Sequence, residues 1–162
     1  MLQNTTQIKS FKHLNNKKIA IVVAKFNQTV TEGLLNGALR VLQENQFSKE
    51  NYKVFKVPGS VEIPLITQKI AKSKNYDAII CLGAVIRGDT AHFDYVCKYV
   101  TEGLLKINLK SDLPVAFGVI MTENQEQAVI RSSKDEHNKG GESALAVLEM
   151  LDLIEKNEED LG

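Results

Sequence analysis

The chain of 162 residues is 43% hydrophobic and 25% charged, and its 20 basic residues are balanced by 20 acidic ones. These values exclude a disordered or fibrous chain, and the cancelled charge removes the positive field that would gather nucleic acid or an anionic membrane. The first seven residues lack the basic-then-apolar plan of a signal peptide and no run reaches the length of a membrane span, so a soluble, cytoplasmic protein is expected.

Residues 1–16 are polar with scattered Leu2, Ile8, Phe11 and Leu14, the pattern of an arm lying on a surface, including that of another subunit. Ile19 to Ala24 is a continuous apolar run, read as a strand buried on both faces. Phe26 and Asn27 follow it, and Leu34, Leu35, Ala38, Leu39 and Leu42 recur at helical spacing through Glu44. Tyr52 to Val57 reads as a second strand closed by Pro58-Gly59. Ser60 is then placed to cap a helix running through Ile63, Leu65, Ile66 and Ile70, with Glu62 in its first turn.

Ala78 to Leu82 is the most apolar strand, and the chemistry is expected where it ends. Gly83 and Gly88 allow tight turns, and Asp89 and Thr90 are good residues to open a helix. The first turn of such a helix offers unpaired N–H groups and the positive end of its dipole, a seat for a phosphate. His92 lies in that turn, and an imidazole beside an anion seat can move protons while one end of a substrate is held. Gly83-x-x-x-x-Gly88 lacks the Lys-Ser/Thr of a nucleotide P-loop, so ATP is not the expected ligand.

The helix after His92 is expected to bury Phe93, Val96, Cys97, Val100, Leu104 and Ile107. Pro114 starts a fourth strand, Val115 to Met121, with Phe117 within it. Thr122 to Gln125 matches a capping box for a short helix that ends near Arg131. Asn138-Lys-Gly-Gly141 breaks the chain before a last helix with Ala144, Leu145, Leu148 and Leu151 inward, and residues 157–162 read as a frayed acidic tail. Cys81 and Cys97 read as small core residues without a disulfide, and no Cys-x-x-Cys or His-Glu-x-x-His suggests a metal site.

Four strand-helix alternations over residues 17–156, with no linker or repeat, specify one domain: a four-stranded parallel sheet covered by helices on both faces. All four strands end in candidate site loops, and one ligand reaches them only by lying along the sheet's carboxyl edge. Such a small sheet has exposed edges, and assembly with other copies is a way to cover them.

Ala24-Lys-Phe-Asn27, Val57-Pro-Gly-Ser-Val-Glu-Ile-Pro64, Gly83 to Val96, Thr122-Glu-Asn124 and Asn138-Lys-Gly140 together resemble the motifs of 6,7-dimethyl-8-ribityllumazine synthase. The resemblance spans roughly residues 17–153 and implies a flavodoxin-like three-layer α/β/α sandwich, in which the N-terminal arm adds a strand to a neighbouring subunit. It implies condensation of 5-amino-6-(D-ribitylamino)uracil with 3,4-dihydroxy-2-butanone 4-phosphate, the penultimate step of riboflavin synthesis, without cofactor or metal. By the same resemblance Phe26 stacks on the pyrimidine. Asn27 and the backbone near Val85 and Ile86 bind the uracil edge; Ser60, Val61 and Glu62 line the ribityl chain; Phe117 closes the wall. Gly88, Asp89, Thr90, Arg131 and Lys139 hold the phosphate, and His92 moves protons. Val61 stands where the family usually has an aromatic residue.

The resemblance also implies a cyclic pentamer with sites between subunits, in which Phe117, Arg131 and Lys139 reach the pocket of a neighbour. Twelve pentamers build a sixty-subunit shell in many members, which associates with riboflavin synthase. Two other readings remain: a non-enzymatic binder of flavin or lumazine, which would not need His92 and Arg131 together, and a purely structural shell protein.

Overall fold

The computed structural model describes residues 9–162. Its strands are β1 (Ile19–Ala24), β2 (Tyr52–Val57), β3 (Ala78–Ile86) and β4 (Val115–Thr122), all parallel, in the order β2-β1-β3-β4. The helices are α1 (Gln28–Glu44), α2 (Ile63–Ser73), α3 (His92–Ser111), α4 (Gln125–Arg131), α5 (Lys139–Lys156) and a single turn, α6 (Glu158–Leu161).

The alternation of side chains along each strand decides the layers. On one face Ile19, Ile21 and Val23 of β1 and Ala78, Ile80, Leu82 and Ala84 of β3 pack with α1, α4 and α5. On the other, Ala20, Val22 and Ala24 of β1 and Ile79 and Cys81 of β3 pack with α2 and α3. Two buried clusters on either side of one parallel sheet make the three-layer sandwich expected from the sequence.

Several local readings are corrected. The strand expected to end at Leu82 continues through Gly83, Ala84, Val85 and Ile86, because β4 runs on beside it to the Ile86–Thr122 pair. Its pairing with β1 stops at Val23–Leu82, so the last four residues of β3 have no strand beside them on that flank. Gly83 therefore makes no turn. A Cβ there would lie 2.6 Å from Ser60 Oγ, so the position needs glycine for close approach.

The expected arm is also part of the fold from Phe11 onward. Phe11 and Leu14 flank a 3₁₀ turn, Lys12–Leu14, and are buried in this chain's own core. The Phe11 N–H donates to Asn45 Oδ1 (2.8 Å), and His13 Nε2 lies 2.7 Å from Asp152 Oδ1. Residues 1–8 of the arm expected over 1–16, with any strand they add to a neighbouring subunit, lie outside the described residues. At the other end the acidic tail, expected to fray, forms the exposed turn α6. Leu145, expected inward, is exposed.

Candidate active site

The order β2-β1-β3-β4 places the topological switch between β1 and β3, where the connection after β1 leads one way and the chain to β3 the other. In open α/β sheets the crevice outside the carboxyl ends at that point is the ligand seat. A pocket of about 340 Å³ lies there. Phe26 and Asn27 after β1, Gly59 to Glu62 after β2, Val85 and Ile86 of β3, and Gly88, Thr90 and His92 line it. Segments far apart in sequence thus share one cavity.

The loops are held by backbone bonds that leave the side chains free. Lys25 N–H donates to Val57 O (2.8 Å) and Phe26 N–H to Pro58 O (3.0 Å), which ties the β1 loop to the β2 loop. Phe26 is left 72% exposed, an apolar shelf with one face open. Asn27 sits at φ 60°, a left-handed conformation that asparagine tolerates, and its Nδ2 donates to Ala84 O (3.0 Å) across the unpaired flank of β3.

After β2 the expected serine cap is not made. Ser60 opens a 3₁₀ turn, Ser60–Glu62, and α2 begins at Ile63 with Pro64 in its first turn. The Ser60 hydroxyl is buried and, among the described residues, has no hydrogen-bond partner. Glu62 Oε2 instead accepts from the Gly59 N–H (2.9 Å), so the turn is closed by the carboxylate.

The helix expected to open at Asp89 or Thr90 starts at His92, with Ala91 as its cap residue. Thr90 contributes all the same, since its Oγ1 accepts from the His92 N–H (3.3 Å). The imidazole thus stands at the first position of a 20-residue helix, beside the N–H groups of its first turn. Phe93 and Val96 are only half-buried because they line the pocket rather than the core. Asp89 is exposed and lines no part of it.

Arg87 is a residue that the sequence reading passed over. Its Nε donates to Glu123 Oε2 (2.6 Å) and its Nη1 to Asp94 Oδ1 (3.2 Å), while the guanidinium carbon lies 4.3 Å from the centroid of the Phe93 ring. The hydrogen bond to Glu123, above all, raises the guanidinium pKa further. Arg87 thereby clamps the end of β4 to the first turn of α3, one residue from the glycine loop. Its position between Ile86 and Gly88 was the available signal.

Three predicted residues are elsewhere in the chain. Phe117, Arg131 and Lys139 line a second depression of about 600 Å³ on the far flank of β4, with Glu142 and Ser143. Phe117 is 47% exposed, Arg131 ends α4, and Lys139 Nζ lies 2.7 Å from Glu142 Oε2. The capping expected at Thr122 is made two residues later: Asn124 Oδ1 accepts from the Gln127 N–H (2.9 Å), and Gln127 Oε1 accepts from the Glu123 N–H (2.8 Å).

The two cysteines are not at either depression. Cys81 lies inside the sheet, where burial pushes its thiol up to about 12, and Cys97 is half-buried with its thiol also raised by burial.

The family model of 6,7-dimethyl-8-ribityllumazine synthase matches residues 16–155. The chain belongs to that family. Membership gives it lumazine synthesis in riboflavin biosynthesis as its class of activity, with small-molecule substrates and oligomeric assembly as general properties. The matched span contains every strand and every residue of both depressions. Among the described residues no helix is long and apolar enough to cross a membrane.

Proposed function

We propose that the chain condenses 5-amino-6-(D-ribitylamino)uracil with 3,4-dihydroxy-2-butanone 4-phosphate to form 6,7-dimethyl-8-ribityllumazine, phosphate and water. The observation that carries the reading is that Phe26, Ser60 and His92 border a single pocket, with the start of α3 as one of its walls. Phe26 offers a shelf for a flat heterocycle, and the unpaired flank of β3 beside Asn27 offers backbone groups to the uracil edge. Ser60 and Glu62 line the pocket, and their polar character suits the hydroxyls of a ribityl chain. Val61 leaves the wall thinner than an aromatic residue would.

The amine on the uracil attacks the ketone of the phosphate-bearing substrate, and water leaves to give an imine. His92 moves protons as phosphate departs and the resulting enol becomes a ketone. The ribitylamino nitrogen then closes the second ring on that carbonyl, and a second water leaves. Holding the two substrates edge to edge supplies much of the rate, since well-oriented groups reach effective molarities on the order of 10⁵ M or more.

The phosphate needs a cation that the first pocket's own lining does not contain. Arg87 is committed to Glu123 and Asp94. Arg131, with its planar fork, and Lys139 lie across β4, where they can serve the pocket of a neighbouring copy rather than their own. That arrangement supports a cyclic pentamer with sites between subunits, Phe117, Arg131 and Lys139 completing the neighbour's pocket. The short link from Ser132 to His137 carries no insertion, which favours assembly of pentamers into a sixty-subunit shell, with riboflavin synthase as the partner it would enclose. Mixing the two substrates with the protein and following lumazine absorbance tests the reaction, and no absorbance change sinks it. Light scattering reports the assembly.

A further inference from the structure

Two surface features at the opposite, amino edge of the sheet match one another. The first is a groove of about 940 Å³ between the C-terminal halves of α2 and α3, where Lys72, Lys74, Lys106 and Lys110 surround Ile107 and Leu109. Among the described residues none of the four lysines makes an ion pair. The second is the chain's C-terminal segment, where Glu155, Glu158, Glu159 and Asp160 are equally unpaired among the described residues. Lysines in the last turns of helices are expected from the helix dipole alone. The dipole does not account for Leu109, 74% exposed in their midst, or for Leu161, 61% exposed on the acidic turn.

The two features cannot meet within one chain. α5, which carries the acidic turn, lies in the layer with α1, whereas α2 and α3 cover the other face of the sheet. Between copies the geometry is favourable. Helices of a parallel sheet run against its strands, so α2, α3 and α5 all start at the carboxyl edge and end at the amino edge. At 1.5 Å per residue the 18 residues of α5 and the 20 of α3 span nearly the same length, about 27 and 30 Å. Docking that brings Arg131 and Lys139 to a neighbour's pocket at the start of α3, with α5 lying parallel to that α3, carries the end of α5 to the neighbour's lysine groove.

We propose that Glu155–Leu161 of one copy seats in the groove of Lys72, Lys74, Lys106 and Lys110 on the next, with Leu161 on Leu109 and the carboxylates on the lysines. It rests on the shared-site reading above and adds a second contact to the same head-to-tail interface, which closes into a ring. Charge complementarity selects the register and makes the contact salt-sensitive.

A charge swap read by sedimentation tests it. Lys106→Glu with Lys110→Glu raises the protein concentration at which the oligomer dissociates by about tenfold, as does a chain ending at Lys156. Adding Glu158→Lys with Glu159→Lys to the reversed groove restores assembly. In the natural protein, carbodiimide coupling joins Glu158 or Glu159 to Lys106 or Lys110 between chains, as shown by mixing isotopically light and heavy protein. Unchanged dissociation of the shortened chain, a swap that fails to restore, or cross-links only within one chain overturns the proposal. The shared-site reading fails separately: the shortened chain keeps its activity per site at high protein concentration, whereas Arg131→Ala impairs the reaction with the tail contact intact. An Arg131→Ala chain with unaltered kinetics refutes the shared site and leaves a successful swap standing.

Discussion

The pocket at the carboxyl edge and the depression along the flank of β4 differ in what the chain supplies to each. The pocket between β1 and β3 has an aromatic shelf, a serine, an imidazole and a helix start, but no lysine or arginine in its lining. The depression beyond β4 has Arg131, Lys139 and Phe117 on a shallow surface that encloses nothing. Each holds what the other lacks, because β3 and β4 stand between them in the sheet. A chain that makes both halves on opposite flanks can complete a site by meeting a copy of itself.

The largest expected effect comes from breaking the scaffold of the β4 flank. A Cβ at Gly140 would collide with the backbone carbonyl of Leu34, where α5 rests on α1. Gly140→Ala should cost about 3 kcal/mol or more, read by thermal denaturation, and remove both halves together. Gly141→Ala is the control: its nearest neighbour would be Gly37 O at 3.4 Å, and it should unfold within about 1 kcal/mol of the natural chain.

The comparison itself is tested by separating the halves. His92→Ala should slow turnover by about 10² or more while leaving slow residual catalysis from positioning. Arg131→Ala should chiefly raise KM for the phosphate substrate, by about tenfold or more. Mixed and reassembled in equal amounts, the two variants should regain about one quarter of the natural sites, since each site draws on two chains. No regain in steady-state assays would place the site within one chain. An unaltered rate in His92→Ala would remove that residue from the mechanism.

A smaller effect sharpens the first pocket alone. Val61 is exposed at its rim. Val61→Phe should tighten binding of the pyrimidine substrate several-fold through added apolar and aromatic contact, measured by calorimetry, with the KM for the phosphate substrate unchanged. Weaker binding would show that Val61 makes room rather than leaving a gap.

The smallest effect lies at the opposite edge. Lys156, and then His13, holds the Asp152 carboxyl below its usual value of 3.8. A depressed folded-state value means that stabilisation is present above about pH 3.8 and fades as pH falls through the folded value. Asp152→Asn should therefore flatten the loss of stability in that acid window, seen in denaturation midpoints from pH 5 to 2.

The layers and strands were readable because apolar runs at Ile19 and Ala78 and helical spacing after Asn27 record burial directly. Local capping was harder. Ser60, Asp89 and Thr122 all have the right residue type for a helix start, yet in each case the helix begins further on. The tight approach of Gly83 to Ser60 and the register of β3 with β4 involve neighbours that a linear pattern does not contain. Arg87 was missed for the same reason, since its partners Glu123 and Phe93 come from the loop after β4 and from the following helix.

The sequence by itself determined the alternation of strands and helices, the glycine loop, and the candidates for binding and proton transfer. Periodicity and residue chemistry are properties of the chain alone. Only the tertiary structure decided that Phe26 and His92 share a cavity while Arg131 and Lys139 face away from it, because strand order, not position along the chain, determines which loops meet at the sheet's edge.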